Sequence, residues 1–191
     1  MKVRITKDPK ERKQEIIDTA IRLFCQNGYE NTSMAAIAKE INVAQGLCYK
    51  YFPSKENLFD VSLDQYASLL VSKMIPHIRN YDLPIKERIL NIPSFTNLEN
   101  ADEDIYKFVH GKQNIKIHLQ LSIKICEKLL PVVQEELKRA EKSGELKISN
   151  SENIAYFCVY GQLGIMLDEN LTREEQEKAI TSSILQILNI I

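Results

Sequence analysis

The sequence predicts an all-α protein with an N-terminal three-helix domain and a larger C-terminal helical domain. Apolar residues recur at the three- and four-residue spacing of helices, and no segment of useful length alternates apolar and polar residues as strands do. Gly and Pro residues divide this pattern into segments of helical length. Of the 191 residues, 44% are hydrophobic, which is enough for a substantial core.

The first helix is predicted to begin at Asp8-Pro9 and to end at Asn27-Gly28. Asp caps helix N-termini, Pro suits the first helical position, and Glu11 supplies an acid in the first turn. Its apolar face consists of Ile16, Ala20, Leu23 and Phe24. The preceding residues 1–7 form a short basic arm, which is either a phosphate-binding segment or a solvated tail.

Residues 32–52 are predicted to form a helix-turn-helix. The apolar stripe of its first helix is Met34, Ile37, Ala38 and Ile41. After a break at Asn42-Val43-Ala44, a second short helix carries Cys48 and Phe52 four residues apart, facing the same core. The outward face of that second helix is then Gln45, Gly46, Leu47, Tyr49 and Lys50.

This outward face has the chemistry of a DNA-reading surface. Gln pairs bidentately with adenine, Leu contacts a thymine methyl, and Lys and Tyr reach phosphates. Gly46 lets the start of the helix approach the DNA backbone. Thr32 and Ser33 can each cap the preceding helix and offer a hydroxyl to a phosphate. The alternative interpretation is a surface helix whose polar residues face water.

A fourth helix is predicted from Ser54, its cap, into the second domain. Lys55 in the first turn opposes the helix dipole, so the sequence favours a phosphate contact for it. Pro76 should end or kink the helix. The predicted apolar face is Phe59, Leu63, Tyr66, Leu70 and Met74. This helix would link the first domain mechanically to the second.

The second domain is predicted to consist of helices separated by Pro, Gly and polar segments. One segment opens at Pro84, residues 97–104 are loop-like, and an apolar stripe of Ile115, Leu119 and Ile123 follows. The last two helices are predicted at 152–167 and 173–190. They suggest a four-helix interface between two copies, carried by Gly161, Gly164, Ile180, Ile184 and Ile187. The alternative is that both helices pack wholly within one chain.

Charge is unevenly distributed, although the chain as a whole carries −1. Residues 1–55 hold ten Lys or Arg against six Asp or Glu, a net charge of +4, which favours a polyanionic partner for this part of the chain.

Neither a metal ion nor another cofactor is predicted. The four Cys form no CxxC pair, and the three His lack metal-ligand spacing. No apolar run is long enough to cross a bilayer and no signal peptide is recognisable, so we expect a cytoplasmic protein without a membrane partner.

The segment from Gly28 to Phe59, GYENTSMAAIAKEINVAQGLCYKYFPSKENLF, resembles the DNA-binding domain of TetR-family transcriptional regulators in the order and spacing of its residues. The resemblance implies double-stranded DNA as partner, a homodimer, and a small-molecule effector in the second domain. It places family DNA contacts at Thr32, Gln45, Tyr49, Lys50 and Lys55. Ala44 replaces the usual capping Ser or Thr and Leu47 replaces a small polar residue, so the operator sequence is not predictable.

The predicted effector pocket is partly apolar. Its candidate residues are Tyr66, Met74, His77, Phe95, Phe108, His118 and Tyr156. With domains at 1–53 and 54–191, the sequence thus favours a ligand-responsive repressor that leaves a palindromic operator when a small molecule binds. One alternative is an effector-independent DNA-bound protein that recruits a protein partner. An enzyme is disfavoured because the sequence has no GxSxG, P-loop or dinucleotide fingerprint.

Overall fold

The computed structural model describes residues 7–93, 115–168 and 170–190, and within these ranges it contains helices and no strand, which confirms the all-α prediction. Phe95, Phe108 and the predicted loop at 97–104 lie outside the described residues. The helices are α1 (Pro9–Asn27), α2 (Met34–Glu40), α3 (Gln45–Tyr51), α4 (Lys55–Ile78), α5 (Ile85–Leu90), α6 (Ile115–Ser143), α7 (Ser151–Tyr160), α8 (Leu163–Met166) and α9 (Arg173–Ile187).

The described residues form two compact units, 7–65 with 115, and 66–93 with 116–168 and 170–190, and one division lies inside α4. In the first unit, the predicted limits of α1 are confirmed. The Asp8 side chain accepts from the Lys10 N–H, Pro9 opens the helix, and Gly28 closes it with a φ of 82°. The core of this unit is formed by side chains of α1 to α4 and by Phe52, which directly follows α3. Its members are Ile16, Ala20, Phe24, Ile37, Cys48, Phe52 and Leu58.

Helix α4 begins where the sequence predicts, since the Ser54 hydroxyl accepts from the Asn57 N–H at 3.0 Å. The five residues of its predicted apolar face are all buried. Pro76 lies inside the helix, which continues to Ile78. A proline so close to the C-terminus removes one backbone hydrogen bond and leaves the turns before it intact.

Helix α6 is continuous through Pro131 and buries a different face from the predicted one. The predicted stripe of Ile115, Leu119 and Ile123 is wrong, because these side chains are 49%, 39% and 37% exposed. The buried face is offset by about two residues, which places it on the opposite side of a helix with 3.6 residues per turn. It consists of Leu121, Ile125, Leu129, Leu137 and Ala140.

The predicted helix at 152–167 is broken at Gly161 into α7 and α8. A Cβ atom at Gly161 would lie 2.4 Å from the Phe157 carbonyl oxygen, whereas one at Gly164 would meet nothing within 4 Å. Close approach of another helix within the chain therefore does not explain these glycines. Helix α9 opens with a capping box between Thr172 and Glu175 and has no buried residue.

A buried ionic network in the second unit was not predicted. Arg88 is 3% exposed and donates to the Ile78 carbonyl at 3.0 Å and to Glu145 at 2.8 Å. Glu136 accepts from the Tyr81 hydroxyl at 2.7 Å and from Arg139 at 3.2 Å. The network fixes the end of α4 and the start of α5 against α6.

Among the described residues, none of the helices is both long and apolar enough to span a bilayer. The same residues contain no group of three or more side chains suited to hold a metal ion. Cys48, Cys126 and Cys158 are buried and Cys25 is half-buried, and none of the four is in a disulfide. Burial raises the pKa of both Cys126 and Cys158 to about 11, which favours the protonated thiol near neutral pH.

Candidate nucleic-acid interface

Helices α2 and α3 pack against each other across a tight turn. Asn42 adopts a left-handed φ of 56°, a conformation that Asn tolerates better than most residues. The next residue, Val43, donates its N–H to the Ala38 carbonyl at 2.9 Å. The turn therefore sets the direction of α3 relative to α2.

Two side chains fix the inner side of α3, as the sequence predicts. Cys48 is 0% exposed and Phe52 is 1% exposed. The Lys13 ammonium lies 5.7 Å from the centroid of the Phe52 ring. Burial raises the pKa of Cys48, and only the charge of Arg12 opposes the shift. Because both anchors point into the core, the opposite side of α3 faces outward.

The outward side of α3 carries the predicted reading residues on a helix of seven residues. Gln45, Gly46, Tyr49 and Lys50 are exposed, and Tyr49 retains 46% of its surface. Leu47 is half-buried, so it projects less fully than predicted. The structure therefore brings four of these residues to one exposed surface, which we call the α3 face (Gln45, Gly46, Tyr49, Lys50).

The two helix starts near this surface differ in their caps. Ser33 is exposed, and its hydroxyl oxygen accepts from the Ala36 N–H at 3.1 Å while its own hydrogen remains available to donate. Ala44 has the extended backbone of a capping residue but makes no side-chain bond to α3. Helix α3 therefore lacks a side-chain cap at its N-terminus, as the sequence indicates.

Thr32 does not fit its predicted role as a hydroxyl donor to phosphate. It is 1% exposed, and its hydroxyl donates inward to the carbonyls of Leu23 at 3.1 Å and Gly28 at 2.9 Å. Ser33, not Thr32, caps α2. The hydroxyl of Thr32 therefore ties the loop before α2 to the end of α1.

Lys55 is half-buried and contacts the same loop. Its Nζ donates to the Tyr29 carbonyl at 3.0 Å and to the Glu30 carbonyl at 3.5 Å. It also lies 4.2 Å from the centroid of the Tyr29 ring. The sequence predicts a phosphate contact for Lys55. Its internal partners lie 25 and 26 residues away along the chain, so short-range spacing does not reveal them.

Several other cations of the first unit are paired within it. Arg22 pairs with Glu40 at 2.8 Å, and Lys7 and Arg12 both pair with Glu15. Lys50, in contrast, forms no ion pair with any described residue and is exposed. It is therefore the cation of the α3 face that remains available to an external anion.

The predicted effector residues have different environments. Tyr66 and Met74 are buried on one face of α4, and His118 is half-buried on α6. His77 is exposed near the end of α4, and Tyr156 is 50% exposed and stacks on Tyr160 with ring centroids 6.4 Å apart. Residues that line a pocket are enclosed, whereas His77 and Tyr156 are exposed in a single copy of the chain.

The residues predicted to join two copies lie on α8, on α9 and between α7 and α8. Ile187 is 41% exposed, Ile180 and Ile184 are half-buried, and Gly161 and Gly164 are exposed. Phe157, which no sequence pattern singles out, is 69% exposed on α7. Its neighbours Ala155 and Cys158 are buried, so the helix turns Phe157 outward.

Comparisons with known proteins identify the same part of the chain. Residues 16–61 match the family model described as bacterial regulatory proteins, tetR family. The HTH-type transcriptional regulator YuxN of Bacillus subtilis (strain 168), whose function is uncharacterized, is 49% identical over 66 residues, which are 35% of this chain and 23% of YuxN. That similarity therefore covers less than two thirds of the relative.

Two further comparisons cover nearly the whole chain. The fatty acid metabolism regulator protein of Bacillus subtilis (strain 168) is 24% identical over 200 residues, covering 95% of this chain and 96% of that protein. The solved structure of the transcriptional regulator FadR from Bacillus subtilis in complex with stearoyl-CoA is similar with a TM-score of 0.56 and 21% identity, covering 93% of this chain and 98% of that one.

Proposed function

We propose that this TetR-family transcriptional regulator is a repressor released from a palindromic operator by a small molecule. The observation that carries the DNA-binding part is the α3 face. Cys48 on α3 and Phe52 directly after it are buried, while Gln45, Tyr49 and Lys50 on the same short helix are exposed. A helix held in this way can enter a major groove with its anchors kept in the protein.

Each residue of the α3 face has a proposed role. Gln45 reads a base edge by paired hydrogen bonds, and Leu47 at the margin contacts a thymine methyl. Tyr49 and Lys50 bind phosphates, as does the Ser33 hydroxyl at the start of α2. Gly46 allows the DNA backbone to approach the start of α3 closely. A Cβ atom at Gly46 would have no protein atom within 4 Å, so packing inside the protein does not require a glycine there. Ala44 adjoins these residues and lies at the DNA surface without a polar contact.

We propose that two copies bind one operator. Exposed apolar side chains on α7 and α9 support this, because Phe157 and Ile187 keep 69% and 41% of their surface in a single chain. A second copy packed over Gly161, Gly164, Ile180 and Ile184 would cover them. A two-fold dimer matches a two-fold site, and recognition helices about 34 Å apart reach successive major grooves.

The proposed effector is a partly apolar molecule, and a long-chain acyl-CoA is the first candidate. The whole-chain similarity to a fatty acid metabolism regulator and to a structure that contains stearoyl-CoA supports this class. Tyr66 and Met74 are the proposed wall residues on α4 that are buried. The effector must bind the form that releases DNA more tightly than the form that holds it.

One experiment tests the whole proposal. Duplexes bound by the purified protein are selected from a random-sequence pool, and the affinity of the selected duplex is measured with and without stearoyl-CoA. We expect a palindromic sequence and weaker binding when the acyl-CoA is present. A selected duplex whose affinity does not respond would favour the effector-independent regulator, and the absence of any selected sequence would contradict the DNA-binding proposal.

A further inference from the structure

Two cations at the start of α1 share one carboxylate. The Nζ of Lys7 lies 2.6 Å from one carboxylate oxygen of Glu15, and a guanidinium nitrogen of Arg12 lies 2.5 Å from the other. We propose that Glu15 is an internal counterion, which keeps Lys7 and Arg12 from binding phosphates and so lowers the affinity of the protein for DNA. The inference rests on the proposed DNA binding of the α3 face.

The Glu15 carboxylate occupies the donors that a phosphate would use. Lysine and arginine bind carboxylate and phosphate through the same charged N–H groups. A phosphate could bind Lys7 or Arg12 only by displacing Glu15, and the carboxylate left beside it would repel the phosphate. The three side chains together carry a net charge of one, whereas the two cations alone would carry two.

These cations lie beside the helix that is proposed to enter the major groove. The ammonium of Lys13 is 5.7 Å from the ring centroid of Phe52, which directly follows α3. Burial raises the pKa of Cys48 on α3, and the charge of Arg12 opposes this rise, so Arg12 is close enough to act on that helix. Because the major groove is only about 12 Å wide, a helix inside it is flanked by the phosphates of both strands.

Stability does not explain the arrangement. The side chains of Lys7 and Glu15 keep 38% and 25% of their surface, and that of Arg12 keeps 12%. Ion pairs that remain in contact with solvent contribute little to stability. Loss of the Glu15 charge should therefore leave the fold intact and release two cations next to the DNA surface. Lys50, which pairs with no described residue, is available without such a change.

The same helix offers a matched control for Glu15. Asp18 is exposed, and its carboxylate accepts from the amide of Gln14 at 2.7 Å. Among the described residues, no cation is paired with Asp18. Asp18→Asn and Glu15→Gln therefore change the net charge of α1 by the same amount, but only Glu15→Gln releases paired cations.

The first test measures the affinity of both variants over a salt series, for a duplex that the wild-type protein selects from a random-sequence pool. One further neutralised phosphate should make the salt slope of Glu15→Gln steeper than that of Asp18→Asn by about 0.9. With equal binding at about 1 M salt, this slope corresponds to about eightfold tighter binding at about 0.1 M salt. Equal slopes and affinities for the two variants would overturn the inference.

A second test removes the released cations. The double substitution Lys7→Met/Arg12→Met should lower affinity at least about threefold more in the Glu15→Gln background than in the wild-type background, because Glu15 occupies these cations only in the latter. Lys50→Met is the control, and it should lower affinity by the same factor in both backgrounds. The same loss in both backgrounds for Lys7→Met/Arg12→Met would show that Glu15 does not withhold these cations.

Damage to the fold cannot imitate the expected result, because unfolding weakens binding and the inference predicts tighter binding. Failure of the proposed function is also distinguishable. If the wild-type protein selects no duplex, retention on immobilised heparin, a sulfated polyanion, is measured during a salt gradient. Elution of Glu15→Gln at higher salt than Asp18→Asn would support the role of Glu15 as counterion without any operator, and elution at the same salt would reject it.

Discussion

The guanidinium of Arg88 lies 2.8 Å from a carboxylate oxygen of Glu145, and the Arg88 side chain is only 3% exposed. Its other amino group donates to the Ile78 carbonyl and lies 3.4 Å from Glu136. Within the described residues, its Nε has no hydrogen-bond partner. A buried guanidinium with these partners stabilises the second unit only while its carboxylates remain in place.

Replacement of Arg88 should therefore destabilise the second unit strongly. Arg88→Met leaves Glu136, which is 4% exposed, without one of its cations, and we expect a loss of about 3 kcal/mol in the free energy of unfolding. Urea unfolding followed by far-ultraviolet circular dichroism measures it. The control is Arg22→Met, which breaks an exposed pair with Glu40 and should cost less than about 1 kcal/mol. Equal losses would contradict the importance of burial.

The Glu145 carboxylate should make stability depend on acid pH. Burial raises the pKa of Glu145, but hydrogen bonds from Arg139 and Arg88 outweigh it and hold the pKa below the ordinary 4.5. Its contribution is therefore fully present above pH 4.5 and is lost as the pH falls through the folded-state pKa. In Glu145→Gln, the deficit in stability relative to wild type should shrink on acidification. A deficit that stays constant from neutral to acid pH would contradict this prediction.

A capping residue at position 44 should stabilise α3. Ala44 has a φ of −70° and a ψ of 139°, which a capping Ser can adopt, and it makes no side-chain bond to the helix. Ala44→Ser should add about 1 kcal/mol by satisfying one N–H at the helix start. Thermal unfolding measures the gain, and Ala44→Val, which enlarges the side chain without adding a hydroxyl, is the control that cannot cap. No increase for Ala44→Ser would show that water already satisfies this end.

Charge on the exposed face of α7 should separate the two proposed copies. Phe157→Glu places a carboxylate at a side chain that is 69% exposed in a single chain, so it should not disturb the fold of one copy. We expect monomers by light scattering after gel filtration. Leu69→Glu, at a side chain on α4 that is 50% exposed, is the control and should remain dimeric. A dimeric Phe157→Glu would place the interface elsewhere.

Gln45 and Tyr49 should differ in how they affect DNA binding. Gln45→Ala should change the preference at particular base pairs because it removes a base-reading side chain. We expect the discrimination between bases at those positions to fall by about 1–3 kcal/mol, the contribution of one bidentate pair. Tyr49→Ala should weaken binding uniformly, because it removes a phosphate contact. Selection from a random pool with each variant compares the two patterns. A uniform loss for Gln45→Ala would show that Gln45 does not read bases.

Local signals explain why the helix-turn-helix follows from the sequence. Asp8, Pro9 and Gly28 act on the turn of helix beside them, and Cys48 and Phe52 lie on one face because they are four residues apart. The predicted apolar stripe on α6 is wrong because it, too, was inferred from local spacing alone. Periodicity located a helix, but which face is buried depends on neighbours that local spacing does not specify.

The sequence by itself determined the helical class, the α3 face with Gln45, Tyr49 and Lys50 exposed, and the weak cap at Ala44, because capping and periodicity act within one or two turns. Only the tertiary structure decided that Thr32 points inward, that Lys55 holds the Tyr29 carbonyl, and that Arg88 meets Glu136 and Glu145. Those partners are 9, 26, 48 and 57 residues apart along the chain. Contacts of that separation arise only when helices pack, so short-range patterns do not encode them.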